Sequence, residues 1–416
     1  MADPSHLAKP FDIEKLFNQI HQLEIHTPQG LSGVLTKESR YVFNYHQVAD
    51  EAAISLVMPV RQESYTHGDL MSVFAMNRPE GYLRYIIEER LRRMGAPSDM
   101  FLLYLAGSNQ IGRLQYAIPS ETPPEHSGEQ LEALLSQPSA ALFKRLVDQY
   151  ALGSGISGVQ PKALVPIVKV PNAGLEIASN SIPQPAEHAA VPLKTVIVKA
   201  EGDDFPGLAC NEFFCMSVAK EAGFTVPDFW LSDDGLLFIM SRFDRKPDGT
   251  ALGFEDMAVL TGRTANQKYE GSYEMIASAV EIFAGENSVI TLRRLFERVA
   301  LSCYLRDGDA HLKNFGMLYE NPTQPRTLAP IYDVVCTDIY PELDGKMALK
   351  LNKSKAYPTD IELCDYARRL GISNEDAKQV IQRIENAYQK IVGDFKNDVR
   401  FQHNDLLKSI QKAIES

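Results

Sequence analysis

Apolar and polar positions change their repeat several times along the chain, and each change predicts a different kind of structure. Phe11, Ile13, Leu16, Phe17 and Ile20 form a stripe after Pro10, which predicts a short helix through Leu23. Short β-type runs follow to about residue 118 (LEIHT, YVFNY, ISLVM, FLLYLA and GRLQYAI), around one amphipathic helix at 82–94 that stops at Gly95. This stretch predicts a small α/β unit, 1–118, and carries no catalytic constellation. The segment PSETPPEHSGEQ, 119–130, has the composition of a linker. Beyond it come a helix at 130–150 broken at Pro138, a Gly-rich turn, and a β-run at 162–170. A long Pro- and Ala-rich loop, 171–192, leads to a second strand at 195–200, and the two runs predict a hairpin. A helix at 211–222 and strands at 228–231 and 236–240 complete this lobe, 119–240. The remainder, 241–416, is mostly of helical period, with Leu292, Leu295, Phe296, Val299 and Cys303 on one face.

Composition narrows the class. A length of 416 residues gives a prior of two or three domains, and 44% hydrophobic with 23% charged residues excludes a mainly disordered or collagen-like chain. Lys plus Arg number 42 against 54 Asp plus Glu, and the resulting −12 repels a phosphate backbone. Direct DNA binding by this chain alone is therefore not expected. The five cysteines (Cys210, Cys215, Cys303, Cys336 and Cys364) form no CxxC pair, which fits free thiols in a reducing compartment. The opening MADPSHLAKPFDIEK lacks the basic start and apolar core of a secretory signal, and no run of 18 apolar residues is present. The expectation is a cytoplasmic protein with no membrane span.

The densest polar cluster, Arg306-Asp307-Gly308-Asp309-Ala310-His311-Leu312-Lys313-Asn314-Phe315, directly follows an apolar helix. Charge beside a core element is costly unless it is paired or used. A calcium loop counted from Asp307 would need Gly where Leu312 stands, and a zinc site at His311 lacks His or Cys companions nearby. Phosphoryl transfer fits better, because the interval from Asp309 to Asn314 matches that between the base and the metal-binding Asn of a protein-kinase catalytic loop. Lys313 would add positive charge toward the phosphoryl group, and Asp333 follows at the place of a second metal-binding carboxylate. A structural polar loop remains the alternative. Lys199 closes a strand and Glu212 opens the next helix, the kinase arrangement of a phosphate-holding Lys and its orienting Glu. The run Gly153-Ser154-Gly155-Ile156-Ser157-Gly158 satisfies GxGxxG but precedes a β-run, which disfavours a dinucleotide fold and leaves a phosphate cover or a tight turn.

These segments together resemble the HipA-type serine/threonine kinases of bacterial toxin–antitoxin systems. The resemblance rests on SGISGVQPKALV, VIVKAE, NEFFCMSVAKEAGFTVP, SRFDR, EDMAVLTGR, DGDAHLKNFGML, PIYDVV and MALKLNKSK, in that order, over roughly 140–355. It implies a bilobal α+β protein-kinase-like fold: a β-rich N-terminal lobe with an extra small N-terminal subdomain, and an all-helical C-terminal lobe. It implies ATP and Mg2+ as cofactors, Asp309 as catalytic base, Asn314 and Asp333 as magnesium ligands, and Lys313 near the phosphates. Lys199 would hold ATP phosphates and Glu212 would orient it. Ser157, Gly158 and Val159 would cover the nucleotide, and 239–243 would be the hinge, with Ser241 and Phe243 offering backbone groups to adenine; Asp244 would be structural. Ser241 stands where the family often has Glu. Gly155 stands where many members carry a phosphorylatable Ser, so autophosphorylation would fall on Ser157 first and Ser154 second. The implied partners are a HipB-like helix-turn-helix antitoxin and a protein substrate of the aminoacyl-tRNA synthetase class. A catalytically silent binding protein acting with an antitoxin and a small-molecule phosphotransferase are the competing readings.

Overall fold

The structure, a computed structural model, describes residues 16–17, 19–118, 129–150, 160–168, 194–202, 204–402 and 405–415. Most of the expected N-terminal helix, most of the linker, the Gly-rich run and the 171–192 loop lie outside the described residues.

The small N-terminal unit is an antiparallel sheet in the order β4-β3-β2-β1-β5. Its strands are β1 (Gln22–Thr27), β2 (Gly30–Lys37), β3 (Tyr41–Tyr45), β4 (Tyr65–His67) and β5 (Gln115–Ala117). Between β4 and β5 lie helices α1 (Ser72–Ala75), α2 (Gly81–Arg90) and α3 (Asp99–Ala106). Leu23 thus belongs to a strand, not to the end of a helix. Two of the β-type runs also differ from expectation. FLLYLA is helical: Ser98 caps α3 by accepting from the Phe101 amide, and a short run with no polar position to mark a face does not betray its period. ISLVM forms only the isolated Ser55–Met58 bridge, because Ser55 and the Leu56 amide donate instead to the buried carboxylate of Glu255 (2.5 and 2.8 Å).

The second sheet has the order β6-β7-β8-β10-β9. Its strands are β6 (Glu129–Gln130), β7 (Lys162–Val168), β8 (Lys194–Ala200), β9 (Phe229–Leu231) and β10 (Leu237–Ser241). Helices α4 (Leu131–Ser136) and α5 (Ser139–Tyr150) precede β7, on either side of the expected break at Pro138, and α6 (Leu208–Glu221) joins β8 to β9. The expected hairpin is present, β7 against β8, with Lys162 opposite Lys199. Val196 and Val198, with Phe214 and Val218 of α6, lie in the core.

The C-terminal lobe is largely, but not wholly, helical. Besides α7 (Met257–Leu260), α8 (Tyr273–Ala284), α9 (Ser288–Tyr304), α10 (Asp360–Arg369), α11 (Asn374–Phe395) and α12 (Leu406–Glu415), it holds a three-stranded sheet. This is β11 (Gly253–Asp256), β12 (Gly316–Tyr319) and β13 (Thr327–Leu328). The strands are too short to show an alternation, and β11 pairs with a partner some sixty residues away, so the all-helical expectation missed them. Among the described residues, 273–304 alone is apolar and long enough to cross a membrane by length and composition. It is two helices broken at Gly285, with Ile276, Val280, Leu295, Phe296 and Val299 in the core.

Candidate active site

Strand β8 is buried over its last five residues, so the Lys199 side chain can reach water only through a cavity, and it is 3% exposed. Its ammonium meets Glu212 Oε1 at 2.5 Å and Asp333 Oδ1 at 2.7 Å. Glu212 lies in the first turns of α6, and its neighbour Asn211 clamps the backbone beyond Asp333: the side chain donates to the Cys336 carbonyl and accepts from the Cys336 amide, both at 2.9 Å. Asp333 itself adopts a left-handed backbone (φ 57°), strain of the kind concentrated at functional sites. Asn314 donates to Asp333 Oδ2 at 3.0 Å.

Burial disfavours the Lys199 ammonium, but Asp333 and Glu212 outweigh it and hold the lysine protonated well above its ordinary range. Burial pushes the Glu212 carboxyl up to about 7, against the pull of Lys199. At Asp333 burial is overcome by Lys199 and Lys162, which keep the carboxylate ionised far below its usual pKa. Lys162, facing Lys199 across the hairpin, is lowered by burial to about 8 while Asp333 pulls the other way.

The catalytic loop hangs from α9. Arg298, buried among Leu295, Phe296 and Val299, reaches Asp307 Oδ2 (3.1 Å) and the Asp333 carbonyl (3.2 Å). One guanidinium therefore ties the loop to the Asp333 segment. Burial raises Asp307 to about 6 despite Arg298. Asp309 borders the cleft; Tyr269 donates to its Oδ1 at 2.7 Å, and burial holds its carboxyl above the ordinary value. His311 is kept neutral, lowered to about 3 by burial and then by Lys268.

A cleft of about 1070 Å³ joins these groups, lined by Lys162, Lys199, Asp309, Lys313, Asp333 and Phe243 among others. Lys313 lines it but pairs with Glu80 of the small N-terminal unit at 2.8 Å. Phe243 stacks on Tyr332 with ring centroids 5.0 Å apart. Ser241 is less suited to a hinge role, because its amide already donates to the Asp228 carbonyl (2.8 Å). Ser154, Ser157, Gly158 and Val159 lie outside the described residues. Sequence reasoning missed Lys162, Asn211, Tyr269, Glu80 and Arg298. Only the last left a signal, a lone Arg on a strongly apolar helix face.

Magnesium suits the donor set. Among the described residues Asn314 Oδ1 is buried without a hydrogen-bond partner, and it sits beside Asp333, which would supply a second hard oxygen ligand. Among the described residues no group of three or more His, Cys, Asp or Glu could hold a metal ion.

Residues 154–391 match the family model described as HipA-like C-terminal domain, and residues 23–117 match that of the HipA N-terminal domain. The chain belongs to the HipA family. Two relatives carry the name "Putative kinase". The Y4dM protein of Sinorhizobium fredii is 28% identical over 335 residues, 75% of this chain and 74% of that protein. A Haemophilus influenzae protein is 33% identical over 226 residues, 50% of this chain and 60% of that protein. The fold is similar to that of the Shewanella oneidensis toxin–antitoxin protein HipA, solved with HipB and operator DNA. Here the TM-score is 0.68 at 17% identity, over 94% of this chain and 96% of that one. The bilobal kinase-like architecture expected of the HipA resemblance is thus the observed one.

Proposed function

We propose that this HipA-family chain is an ATP- and magnesium-dependent protein serine/threonine kinase and the toxin half of a toxin–antitoxin pair. The observation that carries the reading is the simultaneous pairing of Lys199 with Glu212 and Asp333, beside an Asn314 oxygen that has no partner among the described residues. Lys199, Lys162 and Lys313 put positive charge along one cleft where a triphosphate can lie. Asn314 and Asp333 would hold magnesium, which when bound neutralises charge on the phosphate oxygens. Asp309 would take the acceptor hydroxyl proton as that oxygen bonds to the γ-phosphorus and the bond to the ADP oxygen breaks. Phe243 would border the base of the nucleotide.

The partner that fits is a HipB-like helix-turn-helix antitoxin, by likeness to the Shewanella complex, and operator contact would then come through that partner. The acceptor would be a protein, with an aminoacyl-tRNA synthetase as the class the family resemblance supplies. Self-phosphorylation would fall on Ser157 before Ser154, where a phosphate adds charge beside the nucleotide. Intact-mass analysis after incubation with ATP checks that site, and no added phosphate removes it. The silent-scaffold reading gains nothing from an unpaired buried amide oxygen, and the small-molecule reading requires a closed acceptor pocket.

The test is γ-labelled ATP added to cell extract with wild type or Asp309→Asn, with and without a chelator. Label on one discrete protein, only with wild type and only without chelator, is the expected result. Equal labelling by both proteins would overturn the assignment.

A further inference from the structure

The segment between α7 and α8 lies along the catalytic loop as a splint. The Lys268 carbonyl accepts from the Leu312 amide (3.1 Å), and the Tyr273 hydroxyl donates to the Ala310 carbonyl (3.1 Å). Between these anchors the Tyr269 hydroxyl donates to Asp309 Oδ1 at 2.7 Å. The far side of the segment is also tied, since the Lys350 amide donates to the Gly271 carbonyl (3.2 Å) and the Tyr273 amide to the Lys350 carbonyl (3.0 Å). Gly271 turns there at φ +125°, and a Cβ at that position would press on Met275. The Tyr269 ring stands edge-on to His311, with centroids 5.1 Å apart, and Lys268 Nζ lies 4.9 Å from the ring centre. Backbone ties, ring contact and hydroxyl together leave Asp309 little rotational freedom. Its second oxygen, Oδ2, has no hydrogen-bond partner among the described residues.

We propose that Tyr269 is a positioning residue: it holds Asp309 Oδ1, so that Oδ2 is the oxygen presented to the acceptor hydroxyl. A base works only within hydrogen-bond reach of the proton it takes, and a carboxylate free to turn loses that geometry. The inference rests on the kinase reading above and adds to it a residue that acts through the base. The charged and titratable groups acting on Asp309 are Tyr269, Lys268 and Lys162, which favour its ionised form, and Asp333 and Asp307, which oppose it. Without the phenol the carboxyl pKa rises further. A base must be ionised to accept a proton, so the acid limb of the rate profile moves to higher pH.

The experiment compares wild type, Tyr269→Phe and Asp309→Asn in transfer from γ-labelled ATP, at limiting and saturating ATP and across pH. Binding of a non-hydrolysable ATP analogue serves as the control for folding. The expected result for Tyr269→Phe is transfer slowed roughly 10- to 100-fold at saturating ATP. Its analogue affinity stays at the wild-type value, and its acid limb is displaced upward. Transfer at or above the wild-type rate with an unmoved limb would overturn the proposal and make the phenol a bystander or an occupant of the acceptor's place. Phosphate on Tyr269 itself would overturn it too. A wild type that binds the analogue but transfers no label would instead defeat the kinase reading, and this proposal with it.

Discussion

Two buried clusters of charge are finished in opposite ways. Asp244, fully buried, accepts from Arg242 (2.5 Å), Arg245 (2.7 Å) and the Gly112 amide (2.7 Å). The two guanidinium groups are in turn completed by the Gln110 and Gly112 carbonyls. Burial works against the Asp244 carboxylate, but Arg242 and Arg245 outweigh it and hold it ionised. This cluster is closed, and it fastens the small N-terminal unit to the kinase lobes. The Lys199–Glu212–Asp333 cluster is open: Asp333 keeps a 32% exposed side chain, and the adjoining Asn314 oxygen is unpaired among the described residues. The charges of the first cluster are saturated by protein groups, whereas the second leaves a carboxylate open to the cleft, where a ligand can reach it.

Substitutions break or sharpen this contrast. The largest effect is expected from Asp333→Asn in the open cluster: transfer falls roughly 10³-fold, while the loss of unfolding stability is smaller than at Asp244, because Asp333 is part-exposed and Lys199 keeps Glu212. Label transfer and denaturant unfolding of one preparation check both halves. Asp244→Asn in the closed cluster inverts the pattern. The buried Arg242 and the part-buried Arg245 lose their counter-charge, at a cost of about 3 kcal/mol by urea unfolding. The third effect is one of pH. Lys162, lowered to about 8, is charged below that pH and neutral above it, so ATP affinity weakens as pH rises through 8. Calorimetry on wild type and Lys162→Met tests this, with a flatter profile expected in the variant. The smallest effect belongs to Glu80→Gln, which loosens the Lys313 ammonium from the N-terminal unit. A change in ATP KM of about threefold, in line with a partly exposed pair, is expected from steady-state rates.

How far the site was legible in the sequence depended on what kind of contact each residue makes. Asp309, Asn314 and Asp333 can be singled out in the sequence because their spacing along the chain is itself the signal, and Lys199 with Glu212 because strand end and helix start are local features. The hairpin that sets Lys162 opposite Lys199 was also readable, yet Lys162 was not singled out, since nothing local reveals that its strand end is buried. FLLYLA was misread for a related reason: a short run that is apolar throughout gives no period.

The amino-acid sequence by itself determined the order of the chemistry-bearing residues and the family to which they belong. Tertiary structure alone decided that Tyr269 meets Asp309 across 40 residues, that Lys199 meets Asp333 across 134, and that Glu80 meets Lys313 across 233. It also decided that the Asp244 cluster closes while the Asp333 cluster stays open. The physical reason is range: periodicity and capping report on neighbours within a turn of helix or a strand pair, whereas burial and hydrogen-bond saturation are set by groups that only the packed chain brings together.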